Sequence, residues 1–257
     1  DDVLAKAETT ANIIEKLATL SAILSTSREA FQNKLGISSK PVTGINIVYE
    51  IQFRYIRSKT IKAPAKSGLL IDERFVRRFD RCRFPDLYTF CLSDIKIAER
   101  VLGSLSWLFE SRRDPSLGSA VVKTTIALET LLIFNESDSL ARSLSERAAF
   151  ILSSDHEQRQ TISKLIKTFY DARSGVVHGN KKKLKNLTPS LVESVDRLLL
   201  LMYLKIAANS KVWATAEDLN NWCESQKWGA PVQIEIPYPA SYLVTAIKLG
   251  NKKSETP

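Results

Sequence analysis

Apolar side chains recur every three or four residues over most of the 257-residue chain, the period of an amphipathic helix. Leu4, Ile13, Ile14, Leu17, Leu20 and Leu24 give a helix over residues 3–24, and a second over 28–35 stops at Gly36. Residues 45–55 alternate with period two in their second half and read as a strand or a buried helix, and Pro64 and Gly68 make 62–68 a loop. The helical period returns over 71–82 and 86–109, then breaks at Arg112-Arg113-Asp114-Pro115 and Gly118. Helices follow over 119–134, 139–152, 155–177 and 189–208, the last with Pro189 in its first turn and Thr188 as N-cap. A shorter helix over 216–227 and a strand over 232–236 precede a polar tail, 251–257, expected to be disordered. The fold class is therefore mainly α, a helical bundle with at most a few short strands. Residues 1–85 form an N-terminal helical and basic region, separate or part of the same domain; 86–210 form the bundle, and 211–250 a C-terminal helix and short strand extension.

Hydrophobic residues make up 44% of the chain, enough for a substantial core. No segment approaches the roughly 18 uninterrupted apolar residues of a membrane span, and the first residues lack a secretion signal. The chain opens on Asp1-Asp2 without a methionine, as a piece of a longer protein would. Cys82, Cys91 and Cys223 are odd in number and lack metal-ligand spacing, so no zinc site or disulfide framework is read, and a reducing, cytoplasmic setting fits. Phosphate-cradling glycine loops, zinc-protease and nucleophile-elbow motifs are missing, and no cofactor is expected.

The net charge of +9 suggests a polyanionic partner, and its distribution says more than its total. Residues 53–83 hold ten basic residues (Arg54, Arg57, Lys59, Lys62, Lys66, Arg74, Arg77, Arg78, Arg81 and Arg83) against three acidic ones. On a helix over 71–82, Arg74, Arg77, Arg78 and Arg81 share one face, either a phosphate-binding face or a solvated one, with Phe75 and Phe79 packing opposite. A second cluster, Lys181, Lys182, Lys183 and Lys185, reads as an exposed loop or a phosphate site. Trp107, Trp213, Trp222 and Trp228 read as packing anchors, and His156 as a surface residue.

The stretch from Phe169 to Asn180 is where a strong base, an imidazole and two glycines meet inside an apolar-periodic segment. Arg173 falls within the stripe of Leu165, Ile166, Phe169, Tyr170, Val176 and Val177, a costly place for a guanidinium unless an anion or a shared surface meets it. His178 lies about 140° around the helix from Arg173, so one regular helix does not aim both at one point. Gly175 permits a close approach by another backbone or a second copy of the helix, and Gly179 is a helix stop. The helix C-terminus favours positive charge at His178. Ser174 either orients a phosphate or bonds to its own backbone, and Glu129, inside an apolar helix, has Arg142, Arg147 and Arg173 as candidate partners.

Arg173-x4-His178 closing a helix, followed by Gly179, resembles the signature of HEPN domains (higher eukaryote and prokaryote nucleotide-binding). Thr124-Thr125-Ile126-Ala127-Leu128-Glu129-Thr130-Leu131-Leu132 and Ser139 to Leu152 resemble the first and second core helices of the Apea-like group, and the resemblance covers roughly residues 86–210. It implies a HEPN-type bundle and metal-independent RNA cleavage to 2′,3′-cyclic phosphate and 5′-hydroxyl ends, with Arg173 and His178 catalytic, Ser174 and Glu129 supporting, and Lys181, Lys182, Lys183, Arg74, Arg77, Arg78 and Arg81 binding RNA, tRNA among the candidates. It further implies a homodimer whose motif helices face each other, an activator or additional domain, and a role in prokaryotic antiviral defence. Ser174 stands where many members carry Asn, Asp or His. The alternative within the family is a non-catalytic dimerisation or nucleotide-binding module.

Overall fold

The computed structural model describes residues 73–135, 139–230 and 234–251, together with eight positions between 9 and 23. Ten helices lie in the described region from residue 73 onward, with no strand among the described residues: α1 (Glu73–Arg81), α2 (Phe84–Cys91), α3 (Lys96–Arg113), α4 (Leu117–Leu132), α5 (Leu140–Leu152), α6 (His156–His178), α7 (Lys181–Leu184), α8 (Pro189–Ala208), α9 (Ala216–Gln226) and α10 (Ala240–Gly250). The expected mainly α bundle is the fold observed. Helices α3 and α4 form one antiparallel hairpin and α5 and α6 another, and α8 runs between them with α10 laid along it.

Helix α8 is the axis of the bundle. Every residue from Leu191 to Ala207 is buried, so its apolar run Leu198-Leu199-Leu200-Leu201-Met202 is covered on all sides. Thr188 caps it, accepting from Leu191 N at 3.1 Å, and Pro189 occupies the first turn, where a missing N–H costs nothing. Ile13, Leu17, Leu20 and Ile23 join the same apolar cluster, so this part of the N-terminal region packs on the bundle. The expected helix over 28–35, strand over 45–55 and loop over 62–68, with Arg54, Arg57, Lys59, Lys62 and Lys66, lie outside the described residues, as does the 252–257 tail.

A polar layer crosses this apolar core. Thr124 on α4 donates to Asp196 Oδ1 on α8 at 2.9 Å, and Arg112 on α3 sets its Nη1 3.5 Å from Asp196 Oδ2; both charged side chains are 0% exposed. Ser111 is 2.7 Å from the Thr124 hydroxyl and 3.0 Å from the Ala120 carbonyl, and its single proton serves one of the two. Two turns along, Tyr203 on α8 meets Ser104 on α3 at 2.7 Å, and Ser104 passes its proton to the Ala127 carbonyl at 2.6 Å.

Several expectations are corrected. The single helix over 86–109 is two, α2 and α3, because Ser93 binds the Phe90 carbonyl at 2.7 Å and receives Ile95 N at 3.4 Å, offering the backbone a local alternative to the helical ladder. Helix α3 runs on to Arg113 because Ser111 and Arg112 belong to the buried polar layer. The expected strand over 232–236 is not a strand over its described part, 234–236. The Asn209 side chain takes the part of a neighbouring strand there, accepting from Glu235 N at 2.7 Å and donating to the Glu235 carbonyl at 2.9 Å. Helix α10 was not foreseen; it seats Leu243 and Ala246 in the core, and Ser194 of α8 donates to the Ala246 carbonyl at 2.6 Å. The three thiols are buried, and burial pushes those of Cys91 and Cys223 up to about 12, which keeps them protonated.

Removing one partner from the buried Arg112–Asp196 pair strands the other charge. Asp196→Ala is therefore expected to cost about 3–5 kcal/mol in urea denaturation, and Asp196→Asn less because an acceptor for Thr124 is kept. An Asp196→Ala midpoint equal to that of the parent protein would show that the layer contributes nothing.

Candidate functional site

Helix α6 is 23 residues long and carries both Arg173 and His178. Asp155 caps its start, accepting from Gln158 N at 2.8 Å, and Gly179 ends it in the left-handed region at φ 65°, a conformation without steric cost only for glycine. The next residue reverses the chain: Asn180 N donates to the Gly175 carbonyl at 3.0 Å, while its side chain accepts from Lys182 N and Lys183 N at 3.1 and 3.4 Å and so caps α7. The lysine run is thus a short helix folded back on α6, not an open loop.

That reversal explains Gly175 differently from the sequence. A Cβ there would lie 2.9 Å from Lys183 Cβ, 3.1 Å from Leu184 N and 3.2 Å from the Asn180 carbonyl. Gly175 admits the chain's own α7, not a second protomer's helix. Lys183 is correspondingly engaged, its Nζ 2.8 Å from Asp171 Oδ1 and 3.5 Å from Ser174 Oγ, whereas Lys181, Lys182 and Lys185 are exposed. Ser174 accepts from a lysine rather than closing a bond to its own helix backbone.

Arg173 and His178 point away from each other, as the ~140° between them on a regular helix requires. Arg173 is half-buried against α4, its guanidinium carbon 5.8 Å from the Tyr170 ring centroid and its Nε enclosed without a hydrogen-bond partner among the described residues. Glu129 on α4 shares this space, and its Oε1 is likewise enclosed and unpartnered. The two charges act on each other through space: burial raises the Glu129 carboxyl above its ordinary value, and the Arg173 guanidinium works against that rise. Burial also raises the Tyr170 hydroxyl, with the Glu129 charge adding to the effect and Arg173 opposing it. The other candidates for Glu129 are engaged elsewhere. Arg142 pairs with Glu146 at 2.7 Å, and Arg147 donates to the Leu132 carbonyl at 2.7 Å and Asn220 Oδ1 at 2.8 Å. His178 is exposed at the last turn, next to Val177, which is 49% exposed.

The N-terminal arginines are distant in sequence and on a separate element. Helix α1 places positions 74, 77, 78 and 81 on one face, with Arg77 and Arg81 exposed; the side chains of Arg74 and Arg78 lie outside the described residues. Phe79, on the opposite side, stacks on Phe84 at 4.9 Å between ring centroids.

Two features escaped the sequence reading. Positions 156, 160, 164, 167, 171, 174 and 178 advance by three or four and form one polar stripe along α6, ending at His178. The stripe borders an open groove of about 680 Å³ between α5, α6 and the end of α9, lined among others by Phe150, Arg159, Lys164, Lys167 and Lys227. Trp228, read as a packing anchor, is 88% exposed, because it follows the last turn of α9 at the Gly229 turn; Trp213 is fully buried, edge-on to Trp222. No family model, curated protein or solved structure matches this chain.

Gly175→Ala is expected to lower stability by about 1–3 kcal/mol, the cost of overpacking, despite alanine's better helix propensity. Faster amide exchange at residues 180–184 would register the displaced α7, and unchanged exchange would contradict the reversal as described. Because the folded-state pKa of Glu129 is raised, its ionised form opposes folding: the opposition is absent below the ordinary carboxylate range and complete above the raised value. Glu129→Gln is therefore expected to be more stable than the parent at pH 7, with the difference shrinking on acidification through that window. Equal stabilities across the pH range would contradict it.

Proposed function

We propose that this chain is a HEPN-type, metal-independent endoribonuclease that cuts RNA to 2′,3′-cyclic phosphate and 5′-hydroxyl ends. The observation that carries the reading is the use of one helix: α6 ends in an exposed imidazole beside three exposed lysines, and five residues earlier it holds a guanidinium with an unsatisfied Nε. Attack of a ribose 2′-hydroxyl on the adjacent phosphorus needs a group that moves a proton near neutral pH and a cation that meets the extra charge on phosphate. His178 suits the first task and Arg173 the second. The lysines at 181, 182 and 185 would hold flanking phosphates.

The divergence of Arg173 and His178 makes one chain insufficient, and a second copy supplies the missing half. Tyr170, Arg173 and Val177 share one face of α6; Tyr170 and Arg173 are half-buried there, and the exposed Val177 at its end is the point at which a partner copy would meet it. Glu129 is a positioning residue in this reading, holding the guanidinium against α4 until phosphate takes it over. The setting in prokaryotic antiviral defence, with RNA cleavage as abortive infection, rests on the resemblance alone.

A second reading is favoured by the enclosure of Arg173 between Glu129 and Tyr170, which suits a structural role: a non-catalytic HEPN module that dimerises and regulates another part of a longer protein.

Cellular RNA incubated with the protein and a chelator is expected to yield cyclic-phosphate ends. Arg173→Ala and His178→Ala are each expected to lower that yield by about 10²–10⁴-fold while the circular dichroism and melting curve stay those of a folded protein. A folded, fully active His178→Ala variant would remove the imidazole from the mechanism, and a strictly monomeric species that still cuts would remove the composite site. Dimerisation without cleavage would favour the module.

A further inference from the structure

The groove along α5 and α6 has no part in the chemistry assigned to Arg173 and His178, yet its charges are unusually placed. Its carboxylates are already engaged, Glu146 with Arg142 and Asp171 with Lys183. Its cations are less so. Lys164 and Lys167 stand exposed on the α6 stripe, and no carboxylate pairs with either among the described residues. Arg159, half-buried in the groove wall over the Phe150 ring at 4.9 Å, donates to the Ser153 carbonyl at 2.6 Å and to Gln226 at 3.2 Å, both neutral acceptors. Behind it lies Lys205, 2% exposed, whose only acceptor among the described residues is the Leu152 carbonyl at 3.4 Å. Burial, with Arg159 adding to it, lowers the Lys205 ammonium to about 8. Two cations without a counter-charge among the described residues thus stand in and behind one wall of a groove whose rim adds two more. Such a field favours a bound anion.

Shape identifies the anion. On α6 the groove's lining runs from position 156 to 171, about 22 Å, the reach of an extended strand of a few nucleotides and too long for an isolated phosphate, and the polar stripe continues from it to His178. Lys227 lines the groove on the α9 side, and the next residue, Trp228, presents an indole that is 88% exposed. Free aromatic faces beside a cationic groove bind unpaired bases, which a duplex does not offer. The C-terminal end of the α6 stripe is His178, beside Lys181 and Lys182 in the sequence.

We propose that the groove is a track for single-stranded RNA, with phosphates on Lys164 and Lys167 and an unpaired base on Trp228, leading along α6 to His178. The track rests on the ribonuclease reading only for its destination. The binding itself is a separate property.

The probe is a fluorescein-labelled 12-mer of 2′-O-methyl uridine, which lacks the attacking hydroxyl and survives any cleavage, compared with a 12-base-pair RNA duplex by fluorescence anisotropy. The single strand is expected to bind at least about tenfold more tightly than the duplex. Lys164→Glu/Lys167→Glu is expected to weaken single-strand binding by at least about tenfold and to flatten its dependence on log salt by about 1.4, two phosphate contacts at 0.7 each. Trp228→Ala is expected to weaken binding by about fivefold or more. All three side chains are exposed, so the melting curves of the variants should match that of the parent. An unchanged affinity and salt slope in the double variant, equal binding of duplex and single strand, or equally effective competition by poly-glutamate would each overturn the track. The two proposals fail separately: cleavage that proceeds undiminished in the double variant sinks the track alone, whereas groove-dependent binding with no cleavage of natural RNA sinks the ribonuclease reading alone.

Discussion

The bundle depends on the contact between Arg112 and Asp196. Both groups are removed from water, and a buried ion pair is tolerated only when its remaining hydrogen-bonding capacity is met. Asp196 meets this requirement through Thr124 and, behind it, Ser111, which ties α3, α4 and α8 to one register. Apolar packing around α8 is permissive, since leucine can slide past leucine at modest cost, but the carboxylate of Asp196 meets both Thr124 and Arg112 only in one register of the three helices. That arrangement fixes α4 against α8. It thereby sets where Glu129 faces α6 and how deeply Arg173 must sit.

Most of the bundle was legible in the period of its apolar residues. Thr188-Pro189 announced α8 to the residue, because an N-cap and a first-turn proline are local signals that tertiary structure rarely overrides. What the period could not show was how a side chain answers distant backbone. Residues 234–236 have the alternation of a strand, yet their partner is a single asparagine 26 positions earlier. The division of the 86–109 segment turned on one serine whose hydroxyl competed with the helix, a choice that sequence leaves open.

The candidate site was legible in its parts and not in its arrangement. The angular separation of Arg173 and His178 followed from helix geometry alone. The role of Gly175 did not, because a glycine shows that something approaches without saying what, and here the chain itself returns to fill the space. The lysine run looked like one cluster. Asp171 and Ser174 withdraw Lys183 from it, leaving three residues outward. The polar stripe of α6 spans 23 positions, longer than the windows in which charge patterns are ordinarily read.

The last turn of α4 carries no basic residue, and its cap residue Ile133 donates its N–H back to the Glu129 carbonyl. Its last carbonyls are met by guanidinium groups from other elements: Arg147 of α5 reaches Leu132, Arg100 of α3 reaches Ile133, and both lie against Phe134, at 4.6 and 5.2 Å from its ring centroid. These acceptors are paired only after the chain on both sides has docked. The Glu129 carbonyl, one turn earlier, is met within α4 by Ile133 N at 3.0 Å, so the helix closes the turn of Glu129 itself while α3 and α5 close the carbonyls that follow it. The helix end that follows Glu129, and with it the wall against which Arg173 sits, is thus anchored from two neighbouring helices at once.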